Sequence, residues 1–398
     1  MKYSIDSLSR ENKVKFGIAI ILIIALTVFF FLPLKFKPRE SSSFIIRVRI
    51  AQEANTLDFG SEKKCDVSDA KTGRVLAEGI SFPYPSKVSC VDGGIKAADT
   101  IFDAQRIRIS PVTDEFELGG TFYQGEVDIV KKGNTLEAIN RVELENYLKG
   151  VLPCEMNHLW PFSALKAQAI ASRSFAVDQA LRRKNKEYDL TDDTYSQVYK
   201  GKNAQRWRTN RATDATRGKV LEYKGKVFPG YFHSCCGGHT EDIGLVWKGD
   251  SAPLKGVRCR WCRWSPRFRW QNRVYTKELL DKLNEKRYNI KRIDNIKAGP
   301  RDPSKRLEYI SIKSGNKWFE IDTEDFRSAI GRKYLKSSNF HVKKYPRFYL
   351  FSGYGWGHGV GMCQWGAFGL ALRGRSTERI LKYYYPEANI VRLREILI

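Results

Sequence analysis

The sequence predicts an α+β fold behind one N-terminal transmembrane helix, and three observations support this prediction. Residues 16–34 (FGIAIILIIALTVFFFLPL) are 19 consecutive positions without a charge, a stretch long enough to cross a bilayer. From residue 41 to about residue 132, short alternating runs are broken by Gly, Pro, Asn and Asp, which is typical of strands joined by tight turns. Beyond residue 140 the apolar residues recur at helical spacing. We therefore expect a β-rich N-terminal part followed by a mixed part with a central alanine-rich helix.

The composition favours an anionic partner. The chain has 398 residues, enough for two or three domains, and its hydrophobic content of 42% is ordinary for a globular protein. Its net charge of +25 is not ordinary, and it favours nucleic acid, a membrane face, or an acidic polymer such as cell-wall glycan. Charge alone does not separate these three classes of partner.

The apolar stretch is predicted to be an uncleaved signal anchor, because it is longer than a typical signal-peptide core and no small-x-small cleavage motif follows it. The basic residues on its two sides differ only slightly in number and favour a cytoplasmic N-terminus at residues 1–15. We expect a single-pass protein of the cell membrane whose bulk is extracytoplasmic, which argues against nucleic acid as a partner. Within that bulk we predict a β-rich region at residues 41–115 and a second domain at residues 116–398.

Two helices are predicted at the start of the second domain. The first is expected from a capping-box pattern at Asn140 and Glu143 to a stop at Gly150. The second begins at Trp160-Pro161, because proline suits the first helical turn. This second helix is rich in Ala and Ser and carries one mostly apolar stripe: Ala167, Ile170, Ser174, Val177 and Leu181.

A glutamate lies between the two predicted helices. Glu155 would occupy a short connection, with Cys154 and Met156 as apolar neighbours. Such a setting disfavours a carboxylate and raises its pKa, so Glu155 is a candidate acid that keeps its proton near neutral pH.

The C-terminal stretch GYGWGHGVGMCQWGAFGLALRG has glycine at every second position from Gly353 to Gly361 and then enters a short helix. Missing side chains would let a polymer approach the backbone around His358, but a tight structural loop explains the glycines equally well. The preceding segment, residues 265–340, is expected to mix short strands and helices and shows no recognisable chemistry.

Cysteine and histidine residues crowd into thirty positions: His233, Cys235, Cys236, His239, Cys259 and Cys262. The sequence CRWC has zinc-knuckle spacing, and a ligand group 23 residues earlier suits a tetrahedral site. We predict zinc bound by Cys236, Cys259 and Cys262, with His233 or His239 as the fourth ligand and Cys235 outside the site. Disulfides are the alternative in an exported protein, and the separate Cys65 and Cys90 are candidates for one.

The run RCRWCRWSPRFRW interleaves five arginines with three tryptophans and one phenylalanine. Such a pattern stacks on bases in nucleic-acid-binding proteins. It suits sugar rings and anionic wall groups equally, and a solvated loop packed around the metal is a third explanation.

Three stretches in one order resemble the family of stage II sporulation protein D and LytB-type amidase enhancers. They are ENYLKGVLPCEMNHLWPFSALKAQAIASRSFAV, then DDTYSQVYKG…GYFHSCCGGHTED, then GHGVGMCQWGAFGLALRG followed by ILKYYYP. The resemblance spans about residues 115 to 390 and implies a mixed extracytoplasmic domain acting on peptidoglycan. Sporulation members of the family are lytic transglycosylases acting on glycan strands without stem peptides. Their catalytic acid is the glutamate of a P-x-E-M motif, which falls on Glu155.

The resemblance also implies further site residues. Positions that recur in the family motifs are candidates for substrate binding: Arg173, Gln197, Tyr199, His358 and Gln364. For Arg173, a buried arginine that pairs with a carboxylate is the alternative. Some family members bind zinc near the active site, and HSCCGGHT with CRWC looks like that variant.

Two functions follow from this resemblance. A lytic transglycosylase protonates the leaving oxygen and traps the cationic sugar with its own C6 hydroxyl, so it needs no second catalytic carboxylate. The four other candidate carboxylates have no spacing that supports such a role: Asp192, Asp193, Glu241 and Asp242. The alternative is a non-catalytic glycan-binding module that recruits or stimulates a cell-wall amidase.

Overall fold

The computed structural model describes residues 44–247 and 252–396. The predicted cytoplasmic segment, residues 1–15, and the predicted anchor, residues 16–34, lie outside the described residues. Among the helices that the structure describes, none combines the length and the apolar character needed to span a bilayer.

The described residues form a mixed α+β fold, as the sequence predicts. Its strands are β1 (Ile45–Ala54), β2 (Thr56–Gly60), β3 (Cys65–Asp69), β4 (Val75–Ile80), β5 (Ser86–Val91), β6 (Gly94–Ala97), β7 (Thr100–Phe102), β8 (Arg106–Pro111), β9 (Glu115–Leu118), β10 (Thr121–Gln124), β11 (Glu126–Lys132), β12 (Thr135–Glu143), β13 (Leu190–Thr191), β14 (Lys219–Tyr223), β15 (Lys226–Val227), β16 (Phe232–His233), β17 (Arg269–Tyr275), β18 (Asn295–Ala298), β19 (Tyr309–Ser314), β20 (Lys317–Asp322), β21 (Phe340–Lys344), β22 (Phe348–Tyr354), β23 (Met362–Cys363) and β24 (Asn389–Arg392). The helices are α1 (Leu144–Glu155), α2 (Phe162–Arg182), α3 (Trp207–Ala215), α4 (Ile243–Trp247), α5 (Thr276–Glu285), α6 (Thr323–Ile330), α7 (Gln364–Ala371) and α8 (Thr377–Tyr384).

The N-terminal part contains two sheets that share one hydrophobic core. A seven-stranded sheet has the order β13-β1-β12-β11-β8-β3-β4, and a six-stranded sheet has the order β10-β9-β2-β5-β6-β7. Alternate residues of β8 are buried, which is the pattern that places one face of a strand on a core. Strands on the two sides of residue 115 pair with each other, β9 with β2 and β11 with β8. The predicted boundary between residues 115 and 116 therefore falls inside this pair of sheets.

Helix α1 begins later and ends later than predicted. Its N-cap is Glu143, whose carboxylate accepts a hydrogen bond from the Asn146 amide at 3.2 Å. Asn140 is instead a buried residue of β12. Gly150 does not end the helix. A Cβ atom there would lie 2.6 Å from the Tyr199 ring, so this glycine makes room for a close side chain.

Helix α2 begins directly after Pro161, as predicted, and is the central helix. It packs against α1, α3, α7, α8 and β14. Its alanine and serine residues permit this close packing, and the Ser174 hydroxyl accepts a hydrogen bond from the Leu221 amide of β14 at 2.8 Å. A second hydrophobic core surrounds its N-terminal half and includes the buried cysteines near the C-terminal helices.

Residues 269–354, called the insertion below, have a hydrophobic core of their own. They contain the sheet β17-β22-β21, the sheet β18-β19-β20, and helices α5 and α6. Arg269 of β17 pairs with Tyr354 of β22, so the two ends of the insertion leave the rest of the protein side by side. Outside it, β16 and β23 pair in parallel and flank the insertion in sequence.

Candidate active site and cysteine cluster

Glu155 is the last residue of α1 rather than part of a loop, which corrects the predicted connection. The helix ends there because Met156 adopts an extended conformation, while its amide still bonds to the Leu152 carbonyl at 3.0 Å. A helix terminus packed against α2 holds the carboxyl group more rigidly than a free loop would.

The Glu155 carboxyl group is partly buried and has two hydrogen-bond donors. The Val198 amide donates to Oε1 at 3.2 Å, and the Gln364 side chain supplies the second donor. Burial raises the pKa of Glu155, the two donors lower it, and burial has the larger effect. The result is a carboxyl group with a raised pKa that still reaches solvent.

Gln364 is held in place by a chain of buried amides. It is the first residue of α7, and its Nε2 atom lies 3.4 Å from Oε1 of Gln168. Gln168 in turn donates to the Ser172 hydroxyl at 3.0 Å within α2. The central helix therefore orients the side chain that contacts Glu155.

Three partly exposed aromatic side chains pack together: Trp160, five residues after Glu155 in the sequence, and Trp365 and Phe368, which follow Gln364. Trp160 packs on Trp365 and on Phe368, with ring centroids 4.9 Å apart in both pairs. Sugar rings present apolar faces that suit such a surface.

Gln197 and Tyr199 stabilise the loop that carries Val198. The Tyr147 hydroxyl donates to Gln197 Oε1 at 3.2 Å, and the Tyr199 hydroxyl donates to Asn140 at 2.9 Å. Tyr199 is only 2% exposed, so its ring packs inside the protein, and its predicted contact with substrate stays a prediction. Gln197 is also buried, and its Nε2 atom has no partner among the described residues.

Arg173 is a structural residue. It is fully buried and donates to both oxygens of Glu145, at 2.9 and 2.7 Å. It also donates to the Lys219 carbonyl at 3.0 Å. These contacts match the alternative of a buried ion pair with a carboxylate, and a substrate contact for Arg173 stays a prediction.

His358 is held as a neutral ring. Its Nε2–H donates to the Phe232 carbonyl at 3.0 Å, so Nδ1 is the atom that accepts from the Val360 amide at 3.1 Å. Burial lowers the pKa of His358 to about 4. Its ring contacts are with Trp247 and His233, and its predicted contact with substrate stays a prediction.

The glycine-rich stretch packs inside the protein. Added Cβ atoms at Gly357 and Gly359 would lie 2.9 Å from the His233 Cβ and 2.5 Å from the Arg306 guanidinium. Both glycines have positive φ angles, which other residues rarely adopt. Of the two explanations for the glycines, the structure supports the tight structural loop.

Four buried cysteines form a cluster that fits a metal ion. The Sγ atoms of Cys236, Cys259, Cys262 and Cys363 all lie within 4.8 Å of one another. Thiolates around a tetrahedral zinc ion at about 2.3 Å would be separated by about 3.8 Å. The Sγ atoms of Cys236 and Cys262 are 3.5 Å apart, far beyond the roughly 2.05 Å of a disulfide.

The fourth member of this cluster is Cys363, whereas we predicted a histidine. The Nδ1 atoms of His233 and His239 face the carbonyls of Val360 and Thr240, at 3.0 and 2.6 Å. Neither histidine belongs to the cluster, and neither does Cys235.

The predicted pair of Cys65 and Cys90 does not form. Both thiols are free, and the residues lie in different sheets, on β3 and β5.

Cys363 could not be predicted as a member of the cluster, because it lies far along the sequence from the other three cysteines. The pairing of β16 with β23 aligns Cys363 with His233 and so brings it beside Cys236. The only local signal was a cysteine within GMCQWGA, directly before a helix. Its Sγ atom caps α7 by accepting from the Gly366 amide at 3.3 Å.

Glu241 belongs to a buried network at the base of the insertion. It accepts from the Ser304 hydroxyl at 2.5 Å and lies 3.6 Å from Arg306. Burial raises the pKa of Glu241 to about 7. Arg306 also donates to the Cys236 and His239 carbonyls, both at 3.1 Å, so this network joins the insertion to the cysteine cluster.

Two family models and several known proteins match the sequence of this chain. A family model described as stage II sporulation protein matches residues 132–223, and a domain of unknown function matches residues 262–361. Stage II sporulation protein D of Bacillus subtilis is 30% identical over 269 residues, which covers 64% of this chain and 76% of that protein. The chain belongs to the stage II sporulation protein D family.

Two further proteins are similar to this chain. An uncharacterized protein of Brachyspira hyodysenteriae is 38% identical over 280 residues, which covers 70% of this chain and 74% of the relative. The amidase enhancer of Bacillus subtilis is 30% identical over 288 residues, covering 60% of this chain and 39% of that protein. The family is one of cell-wall proteins, and an amidase-related module is consistent with these relatives.

We predict that Arg173→Leu lowers the free energy of unfolding by about 3–5 kcal/mol, because it leaves the Glu145 carboxylate buried without its partner. The matched control is Arg217→Leu, which removes ion pairs with the more exposed Glu143 and Asp214 and should cost less than about 1 kcal/mol. Urea unfolding of both variants measures this difference. A stable Arg173→Leu variant that fails only to bind glycan strands would restore the substrate-binding role.

Proposed function

We propose that this protein is a membrane-anchored peptidoglycan lytic transglycosylase, acting on the wall side of the membrane on glycan strands without stem peptides. The observation that carries the proposal is the environment of Glu155. Burial favours its protonated form, and it remains accessible at a helix terminus. The aromatic rings of Trp160 and Trp365 support the proposal, since they offer sugars an apolar surface and Trp365 directly follows Gln364, the side chain that donates to Glu155.

The chemistry requires one proton donor that later accepts a proton. Protonated Glu155 donates its proton to the glycosidic oxygen as the bond to the muramic C1 atom breaks. The C6 hydroxyl of the same sugar then attacks C1, and its proton returns to the Glu155 carboxylate. The products are a free hydroxyl on the leaving sugar and a 1,6-anhydro-muramic acid end. The Val198 amide and Gln364 stabilise the carboxylate between the two transfers.

Three of the other candidate carboxylates are engaged in local structure. Glu241 is bound by Ser304, Asp193 accepts from the Tyr195 amide at 2.9 Å, and Asp242 accepts from the Gly244 amide at 2.7 Å. Hydrolysis in most glycosidases uses a second, free carboxylate. Their engagement favours internal trapping by the C6 hydroxyl over attack by water.

The second candidate function is a non-catalytic glycan-binding module that recruits or stimulates a cell-wall amidase. One relative is named amidase enhancer, and this name favours the module over catalysis. Both candidates require a glycan strand at the surface around Glu155, and only the first requires its proton.

We further propose that the four-cysteine cluster holds one zinc ion. Four thiolates complete a tetrahedral zinc site and leave no position for water or substrate, so this ion would be structural. The chain passes from Cys363 in the cluster directly to Gln364 beside Glu155. A metal ion would thus stabilise the start of α7 and, through it, one donor to the catalytic carboxyl.

We expect Glu155→Gln to abolish glycan cleavage and to leave strand binding intact, because it keeps the shape of the side chain but removes the transferable proton. General acid–base assistance is worth about 10²–10⁴ in rate. The measurement is mass spectrometry of products from denuded glycan strands, where wild type should yield 1,6-anhydro ends. Reducing ends with oxygen from labelled water would show hydrolysis. If wild type and variant cleave nothing and both stimulate an amidase, the module is the correct function.

Gln364→Leu should shift the alkaline limb of the cleavage pH profile to higher pH. Cleavage requires protonated Glu155, so the rate falls as pH rises through the pKa of that group. The Gln364 donor lowers this pKa, and its loss raises it further. The rate measured across the pH range tests this expectation, and an unshifted or lower limb would contradict the assigned contact.

Cys363→Ser should remove the metal, whereas Cys235→Ser, the matched control from outside the cluster, should retain it. Elemental analysis of purified protein should find about one zinc per chain in wild type and in the control, as expected for a tetrathiolate site. Metal-free wild type, with cluster cysteines oxidised in non-reducing peptide maps, would establish the disulfide alternative.

A further inference from the structure

The insertion carries much of the positive charge of the protein. Its 86 residues hold 21 Lys and Arg against 10 Asp and Glu, a net charge of +11 out of +25 for the chain. Neither candidate function uses these residues. This excess of positive charge makes the insertion a candidate to bind an anionic partner.

One sheet of the insertion, β17-β22-β21, has an inner face in the core and an outer face open to solvent. Val274, Tyr349 and Phe351 are buried on the inner face, where α5 covers them with Leu279 and Leu283. The residues between them point to the opposite side and stay accessible, because alternate residues of a strand face opposite sides. In the paired register, the outer face consists of Arg269, Gln271, Arg273, Tyr275, His341, Lys343, Phe348, Leu350, Ser352 and Tyr354.

This outer face combines cations with aromatic rings and has no carboxylate. Arg269 lies over Tyr354 with 5.7 Å between the guanidinium carbon and the ring centroid, and Arg273 lies over Phe348 at 5.4 Å. Lys343 lies 5.4 Å from the Tyr345 ring at the end of β21. Within the described ranges, no ion pair within 4.0 Å involves Arg269, Arg273 or Lys343. Their charge is available to an outside partner.

The same character continues beyond the edge of the sheet. Arg267 and Lys336 lie on Trp356, at 4.7 and 4.2 Å from its ring centroid. A cavity of about 500 Å³ next to them is lined by Arg263, Phe268 and Arg269, among others. Arg263, Phe268 and Arg269 of the RCRWCRWSPRFRW run thus continue the outer sheet face.

We propose that the outer face of β17-β22-β21 is a second binding site for an anionic glycan strand, distinct from the surface around Glu155. Flat aromatic side chains pack against sugar rings, while separated cations meet carboxylates that recur along the polymer. Arg269 and Arg273 are four residues apart on one strand, about 13 Å, and Lys343 lies two strands away, about 10 Å. Such spacing suits repeated charges on an extended chain rather than one compact anion. The identity of the polymer as peptidoglycan rests on the proposed function.

The test measures binding without cleavage. Full-length protein with Glu155→Gln, solubilised in neutral detergent, is titrated against fluorescently labelled, peptide-free glycan strands. Arg269→Gln, Arg273→Gln and Lys343→Gln are added together. We expect at least about tenfold weaker binding, because three charge-assisted contacts are lost. These side chains are exposed, so circular dichroism should show an unchanged fold.

Two controls isolate the surface and the chemistry. The first control combines Lys277→Gln, Lys286→Gln and Lys291→Gln, which remove the same charge around helix α5, the helix that covers the inner face. Binding should stay within about twofold, because charges outside the contact surface have only a weak electrostatic effect on affinity. Strands whose muramoyl carboxylates have been amidated should bind wild type as weakly as the outer-face variant binds native strands.

The outcomes that would overturn this inference differ from those that affect the proposed function. Native affinity in the outer-face variant, equal loss in the Lys277 control, or equal binding of amidated strands would each reject the site. Tighter binding of an oligothymidylate of matched length, lost in the outer-face variant, would reject it in favour of a phosphate polymer. If wild-type protein cleaves no strand but binds strands through this face, the transglycosylase fails and the second site stands.

Discussion

The junction between Cys363 and Gln364 is the constraint on which both candidate sites depend. Cys363 belongs to the four-cysteine cluster and caps α7, and the next residue donates a hydrogen bond to Glu155. Because consecutive Cα atoms are about 3.8 Å apart, a backbone fixed at Cys363 also fixes the backbone position from which the Gln364 side chain extends. The parallel pairing of β16 with β23 sets the position of the junction, and Gln168 of the central helix sets the direction of the amide. The carboxyl group is therefore positioned by contacts from distant parts of the sequence.

The insertion is held by the same region of the protein. Its first and last strands pair with each other, and its buried Arg306 donates to the Cys236 and His239 carbonyls. The guanidinium fits only because residue 359 is glycine. An insertion attached by one loose strand would rotate freely. This one is connected to the cysteine cluster by a buried cation, so a polymer bound to its outer face keeps a defined relation to the start of α7.

The fold class, the central helix and the raised pKa of Glu155 could be predicted because their signals are local. Helical periodicity, a proline at the first turn, and an acid among apolar neighbours need only a short window of sequence. The partners of Arg173, His358 and Cys363 could not be predicted, because each is brought close only by the fold. Glu145 lies 28 residues from Arg173, and the carbonyl that accepts the hydrogen bond of the His358 ring lies 126 residues from it. A recurring motif residue shows that a position matters, without showing whether it contacts substrate or the protein itself.

The two proposed surfaces, one around Glu155 and one on the insertion, would let the protein bind one long strand at two places. A strand held on the insertion presents its neighbouring segment to Glu155 at a high effective concentration, which strengthens binding without any new contact at the acid. The same arrangement would serve an amidase-stimulating module, because a held strand is also presented to a second enzyme. Strand retention is therefore the property common to both candidate functions, and the proton on Glu155 is the property that separates them. The raised pKa of this acid and its accessible position at a helix terminus are why we place catalysis first.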